Sequence, residues 1–237
     1  MLHMHPGGRA LTRKVIAYCA FPANSTVVDI GCGAGETVEY LRDQCAMQAI
    51  GVDSEKKRLR EGKKRNADLL LLQAKSENLP FDDGSIDGAL MECSLSVMHD
   101  RLKTMRELAR ILAPGGKLGI TDLYIRPKAE GMALRCYLPP INRSLRCITD
   151  NDLLALLDEE GFQLLCFEDQ SACLKDFVAG YIMQYGLTPA LHDIVCRAAS
   201  GDFGKNEKET KLGYFLLIAE KKTGKENGYG KAIMPPV

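Results

Sequence analysis

Three glycines stand within the run Val27-Val28-Asp29-Ile30-Gly31-Cys32-Gly33-Ala34-Gly35-Glu36-Thr37, directly behind an apolar stretch of strand character. No other segment limits the fold as tightly. Alternate glycines permit positive φ angles and let a ligand approach the backbone closely. A helix opening at Glu36 presents free amides, which favour an anionic ligand group. Strand, glycine turn and helix in that order form the first unit of an open α/β sheet with a nucleotide-type cofactor at its carboxyl edge.

The rest of the chain extends this unit. Hydrophobic periodicity predicts a helix over 9–20, a strand over 26–30, a helix over 36–45, a strand over 47–52, a charged helix over 54–66 and a strand over 69–72. A strand over 86–92 follows the turn signal Asp82-Asp83-Gly84-Ser85, and a helix over 100–113 stops at Ala113-Pro114-Gly115-Gly116 before a strand over 117–124. Alternation of this kind specifies a parallel, doubly wound sheet with helices on both faces. Residues 125–148 hold three prolines and five basic residues against one acid, and read as a substrate-side insertion over a strand edge. Beyond them the pattern predicts a helix over 150–160, a strand over 162–168, helices over 171–185 and 188–199, and a last strand over 212–220. With 237 residues, the chain suits a single domain over 1–221 with an amino-terminal flap over 1–20 and a mobile tail over 222–237.

Charge removes several function classes. Lys plus Arg and Asp plus Glu both total 31, so the balance gives no electrostatic footprint for nucleic acid. The charged run from Glu55 to Arg65 lacks interleaved aromatic residues and reads as a solvated helix face. The start of the chain has no basic region followed by an apolar one, and no later run reaches membrane-spanning length. A cytoplasmic protein with no membrane insertion is the expectation. A small-molecule substrate suits this balance, and nothing points specifically to a homo-oligomer. Nine cysteines without any C-x-x-C pair read as small buried hydrophobes rather than as a disulfide or zinc framework.

The details of the loop separate two cofactor classes. A dinucleotide fingerprint needs a third glycine where Glu36 stands, to let the helix pack on its strand. Asp29 at the strand end would repel a pyrophosphate and suits an ammonium group, which favours a methionine-derived cofactor over a nicotinamide one. Gly51-Val52-Asp53 closes the second strand with an acid placed to accept from both ribose hydroxyls. Taken singly, Asp29 and Asp53 could each be a capping residue; together with the loop they indicate a cofactor.

Five blocks now carry a family resemblance: VVDIGCGAG (27–35), GVD (51–53), ENLPF (77–81), SIDGALMEC (85–93) and ELARILAPGGKLGITD (107–122). The chain resembles the class I S-adenosylmethionine-dependent methyltransferases, near the group of the ubiquinone and menaquinone biosynthesis enzymes. The resemblance implies a Rossmann-like sheet of seven strands, the last antiparallel, and S-adenosylmethionine as cofactor. It implies that Asp29, Gly31 and Gly33 hold the methionine moiety, with Cys32 and Gly35 completing the loop. Asp53 would hold the ribose, Ser54 would flank the adenine, and Ser76 and Glu77 would line its pocket. Glu92 and Cys93 would lie beside the methionine end. One departure is visible: Ala74-Lys75 stands where the family often has Gly-Asp, so adenine recognition falls to backbone groups, Glu77 or Ser76.

The chemistry implied is in-line displacement at a methyl group whose leaving group is already activated, so orientation and water exclusion dominate. Catalytic candidates are His99, after the fourth strand, and Tyr124. Substrate-side candidates are His3 and His5 in the amino-terminal segment and the basic insertion with Arg126, Arg135, Tyr137, Arg143 and Arg146. Three other readings stay open at this point. They are a catalytically silent cofactor-binding or scaffold protein, thiol-dependent methylation of arsenic or a similar element, and a nicotinamide-dependent oxidoreductase.

Overall fold

A computed structural model describes residues 5–126, 135–138, 143–146, 148–186 and 211–223. The chain opens with helix α1 (Gly8–Cys19), followed by β1 (Thr26–Ile30), α2 (Glu36–Cys45), β2 (Gln48–Asp53), α3 (Lys56–Arg65), β3 (Leu70–Gln73) and β4 (Ile86–Glu92). A 3-10 turn (Leu95–Val97) leads into α4 (Arg101–Ile111) and the long β5 (Leu112–Arg126). Then come β6 (Arg135–Leu138), β7 (Arg143–Arg146), β8 (Ile148–Thr149), α5 (Asp150–Glu159), β9 (Phe162–Asp169), α6 (Ser171–Tyr185) and β10 (Lys211–Lys221).

The main sheet runs β3-β2-β1-β4-β5-β10-β9. The first five strands are parallel, and β10 is antiparallel to both β5 and β9. The predicted seven-stranded sheet with an antiparallel last strand is therefore present, with the short β8 added beside Tyr124 and Ile125 of β5. Strand order reverses between β1 and β4, which opens a crevice at their carboxyl ends, the usual ligand position in open α/β sheets.

Alternation along each buried strand sends side chains to two separate cores. One packs Val28, Ile30, Met91, Ile120 and Phe215 against α4 and α5. The other packs Val27, Leu90, Leu123, Tyr214 and Leu216 against α1 and α2. Burial of both faces is why these strands read as near-continuous apolar runs.

Most boundaries shift by one or two residues, and two differences from the sequence reading are larger. α4 ends at Ile111, because Leu112 already pairs with Ile86 in the sheet; the register then jumps to Gly88 opposite Lys117. The Pro-Gly-Gly turn is thus a bulge inside β5 rather than the link before it. In the predicted insertion, β6 and β7 pair as an antiparallel hairpin, and β7 lies beside the 3-10 turn. The predicted helix over 188–199, His3 and the tail beyond residue 223 lie outside the described residues. No helix among the described residues is long and apolar enough to cross a membrane.

Candidate functional site

The glycine loop adopts the conformation its composition requires. Gly31, Gly33 and Gly35 all have positive φ, at 80°, 57° and 75°. Gly31 is excluded from bearing a side chain twice over: besides its φ, an added Cβ would lie 2.5 Å from the Ser94 Cβ. Ser94 is fixed there because its hydroxyl donates to the Ile30 carbonyl at 2.7 Å. The loop is pinned to the second strand by Gly31 and Cys32 amides donating to the Val52 carbonyl at 2.7 and 3.1 Å. From the other side, α3 comes so close at Gly62 that an added Cβ would meet the Ala34 carbonyl oxygen at 2.3 Å.

Asp53 ends β2 beside the glycine loop, and its carboxylate braces that loop. It accepts the Gly33 amide at 2.9 Å and the Glu55 amide at 2.7 Å. Ser54 is exposed next to it, and its carbonyl accepts from Gln73 at 3.3 Å.

Asp29 is 4% exposed. Burial, and then the neighbouring Glu92 and Asp53 carboxylates, push its carboxyl well above the ordinary range. Its carboxylate has no hydrogen-bond partner among the described residues. A buried acid in this state fits a cationic ligand group, since only an arriving charge or donor offsets its desolvation.

Glu92, by contrast, is fully engaged. Its two oxygens accept from the Thr12 hydroxyl of α1 and the Thr37 hydroxyl of α2, each at 2.7 Å, and His5 Nε2 lies 3.7 Å from Oε1. Cys93 has a positive φ of 51°, and its Sγ is 3.0 Å from the Tyr214 hydroxyl, which donates to Thr121 Oγ1 at 3.2 Å. Desolvation pushes the Cys93 thiol up, so it stays protonated. The Cys32 thiol is likewise raised, first by burial and then by Asp29 and Asp53.

On the far side, Ser76 is buried, and its hydroxyl is shared among Thr104 Oγ1 and Met98 Sδ, both at 2.9 Å, and Glu77 at 3.3 Å. Glu77 also accepts the Asp100 amide at 3.2 Å. Both residues therefore brace the loop between β3 and β4. That loop is locked from α4 by Arg110, which donates to the carbonyls of Phe81 at 2.7 Å and Leu79 at 3.0 Å.

The two catalytic candidates are placed differently from one another. His99 is exposed just before α4. Tyr124 is 5% exposed; its ring sits edge-on to Phe167 and Phe215, and its hydroxyl donates to Asp169 at 3.0 Å. Its apolar body belongs to the core.

Sequence reasoning missed three contributors. Thr12 and Thr37 are ordinary helix residues whose convergence on Glu92 exists only in three dimensions. Asp122 is buried and accepts the Ser96 and Leu123 amides at 2.8 and 2.7 Å, holding the 3-10 turn against β5; burial raises its carboxyl. An acid within an otherwise apolar strand, as Asp29 is in β1, was the available signal.

Known proteins resemble this chain in sequence and in fold. A model described as a methyltransferase domain matches residues 28–120. The O-methyltransferase resE of Aspergillus sclerotiorum is 32% identical over 171 residues, covering 67% of this chain and 62% of that protein. The chain thus spans less than two thirds of that relative's length. The 27-O-demethylrifamycin SV methyltransferase of Amycolatopsis mediterranei (strain S699) is 29% identical over 224 residues, covering 89% of this chain and 82% of the relative. Among solved structures, the 4+2 cyclase SpnF superposes with a TM-score of 0.67 at 26% identity, over 91% of this chain and 82% of the other.

Proposed function

This chain belongs to the class I S-adenosylmethionine-dependent methyltransferases, and from that premise we propose that it transfers a methyl group to a hydroxyl of a small molecule. The observation that carries the reading is Asp29, a buried carboxyl beside a glycine turn that resists ionisation until a cationic group arrives. It fits the ammonium of the cofactor's methionine end. Asp53 would take the ribose hydroxyls, and the loop at 76–81 would flank the adenine. Glu92 and Cys93 would bound the methionine end. When bound, the cofactor supplies an electrophilic methyl group on a leaving group that departs neutral.

The chain's own work is then to orient and to exclude water. The glycine loop brings backbone against ligand, while α1 and the β6–β7 hairpin stand on the substrate side. The hydroxyl acceptor is supported by the two relatives named for O-methylation.

A second reading has its own observation, the likeness to a protein named as a cyclase: this fold at 26% identity serves other chemistry. One experiment separates the readings. Thermal-shift titration with S-adenosylmethionine and NADH is paired with transfer of labelled methyl into organic extracts of cell metabolites. Stabilisation by S-adenosylmethionine with label transfer, lost in Asp29→Ala, is the expected result. Stabilisation without transfer to any extract would favour the silent or cyclase-like reading, and stabilisation by NADH alone would overturn both.

A further inference from the structure

Methyl transfer to a hydroxyl releases a proton, and the titratable groups around the crevice are mostly committed elsewhere. Asp29 is reserved for the cofactor's ammonium. Asp122 is spent on two backbone amides, Cys93 is a raised thiol bonded to Tyr214, and Tyr214 is itself pushed up by burial. Glu92 already accepts two hydroxyls. His5 is different.

His5 Nδ1 lies 3.1 Å from the Pro6 carbonyl oxygen, which accepts only. That contact selects the tautomer with the proton on Nδ1 and a lone pair on Nε2. Nε2 faces Thr12 Oγ1 at 3.4 Å and Glu92 Oε1 at 3.7 Å, both too long to be strong hydrogen bonds. The Thr12 hydroxyl gives its proton to Glu92 at 2.7 Å instead, so it does not occupy the Nε2 lone pair. The side chains of His5 and Glu92 are only 13% and 7% exposed, so a charge appearing on the imidazole would be weakly screened and strongly felt by the carboxylate.

We propose that His5 is the proton acceptor of the reaction, with the Glu92 carboxylate, 3.7 Å from the same Nε2, offsetting the imidazolium charge that forms. The inference rests on the hydroxyl-acceptor reading above. The acceptor oxygen forms a bond to the methyl carbon as the carbon–sulfur bond breaks, and the sulfur leaves with that electron pair as a neutral thioether. The hydroxyl proton passes to His5 Nε2, and the resulting imidazolium sits beside the Glu92 carboxylate until it returns the proton to water. The Pro6-Gly7-Gly8 turn places this imidazole at the amino end of α1, where Thr12, one turn further on, holds the same carboxylate.

Two measurements on the full chain test this. The first is nitrogen NMR of histidine-labelled protein with S-adenosylhomocysteine bound. The expected signal for His5, assigned by its loss in His5→Gln, is a protonated Nδ1 and a bare Nε2; the opposite tautomer overturns the proposal. Glu92→Gln is expected to keep this tautomer, since Pro6 still holds the Nδ1 proton, and to slow phenol methylation by removing the charge that faces the imidazolium; an unchanged rate would remove Glu92 from that role.

The second is methyl transfer to phenol and to 4-nitrophenol, the latter already largely ionised near neutral pH. His5→Gln is expected to slow phenol methylation about 100-fold or more, the usual range for a lost general base, and 4-nitrophenol methylation by less than about 10-fold. Equal loss on both acceptors, or methylation of neither while S-adenosylmethionine still binds, overturns the base assignment. Failure to bind S-adenosylmethionine at all would instead overturn the cofactor reading beneath it.

Discussion

Asp29 carries opposite consequences for stability and for binding. Its carboxyl is raised by burial and by two neighbouring acids. Between the ordinary carboxylate range and that raised value, the folded chain holds a proton that the unfolded chain has lost. The stability of the ligand-free protein therefore falls as pH rises through that window. Asp29→Asn removes the cost of keeping this carboxyl protonated in the fold, and is expected to stabilise the ligand-free protein at neutral pH by about 1–3 kcal/mol. At roughly 2–4 °C per kcal/mol for a chain of this size, calorimetry would see the change directly. The same variant is expected to weaken S-adenosylmethionine about 10-fold or more, the scale of a lost charged hydrogen bond, which titration calorimetry checks. Gly31→Ala makes a second residue-scale prediction: positive φ and the approach to Ser94 both oppose it. A loss of about 1–3 kcal/mol is expected, measured by denaturant unfolding, together with loss of cofactor binding.

Among the elements, the loop between β3 and β4 depends on a helix that it does not touch in sequence. Arg110 of α4 binds the Leu79 and Phe81 carbonyls and pairs with Glu107 and Asp83, while Glu107 accepts the Leu79 amide at 2.8 Å. Arg110 holds the Glu107 carboxyl below its ordinary value, so the pair contributes stability above that value and loses it as pH falls through the lowered one. Arg110→Ala is expected to raise the KM for S-adenosylmethionine several-fold with a smaller change in kcat, and to flatten the acid limb of stability. Steady-state kinetics and thermal melts at stepped pH would show both. Much at this scale was legible beforehand. The ranges predicted for α2 and α6 coincide with those observed, and β1 and β4 lie where periodicity placed them. The bulge within β5 and the hairpin β6–β7 were not legible. Short strands in a proline-rich basic segment lack the alternation that marks a half-buried strand, and proline and glycine ordinarily signal an end rather than a bulge.

At the scale of the whole molecule, ligand binding should tie the two sides of the crevice together. Saturation at about 100 times Kd stabilises by roughly 2.7 kcal/mol, an expected rise in Tm of roughly 5–10 °C for a chain of this length. Hydrogen exchange should slow at the start of α1 as well as in the glycine loop, because Glu92 joins α1, α2 and β4 through Thr12, Thr37 and His5. Protection confined to the glycine loop would contradict that coupling.

The amino-acid sequence alone determined the parallel α/β class, the glycine turn with Asp29 before it and the acid ending the second strand. Each of these is written in local periodicity, backbone permission or a short spacing. Only the tertiary structure decided that Thr12, Thr37 and His5 meet at Glu92, that Ser76 braces a loop, and that the Tyr124 ring joins the core. Those outcomes depend on strand order and on which face each helix covers. Residues far apart in the chain become neighbours there because the sheet reverses its order between β1 and β4, and no local pattern encodes that juxtaposition.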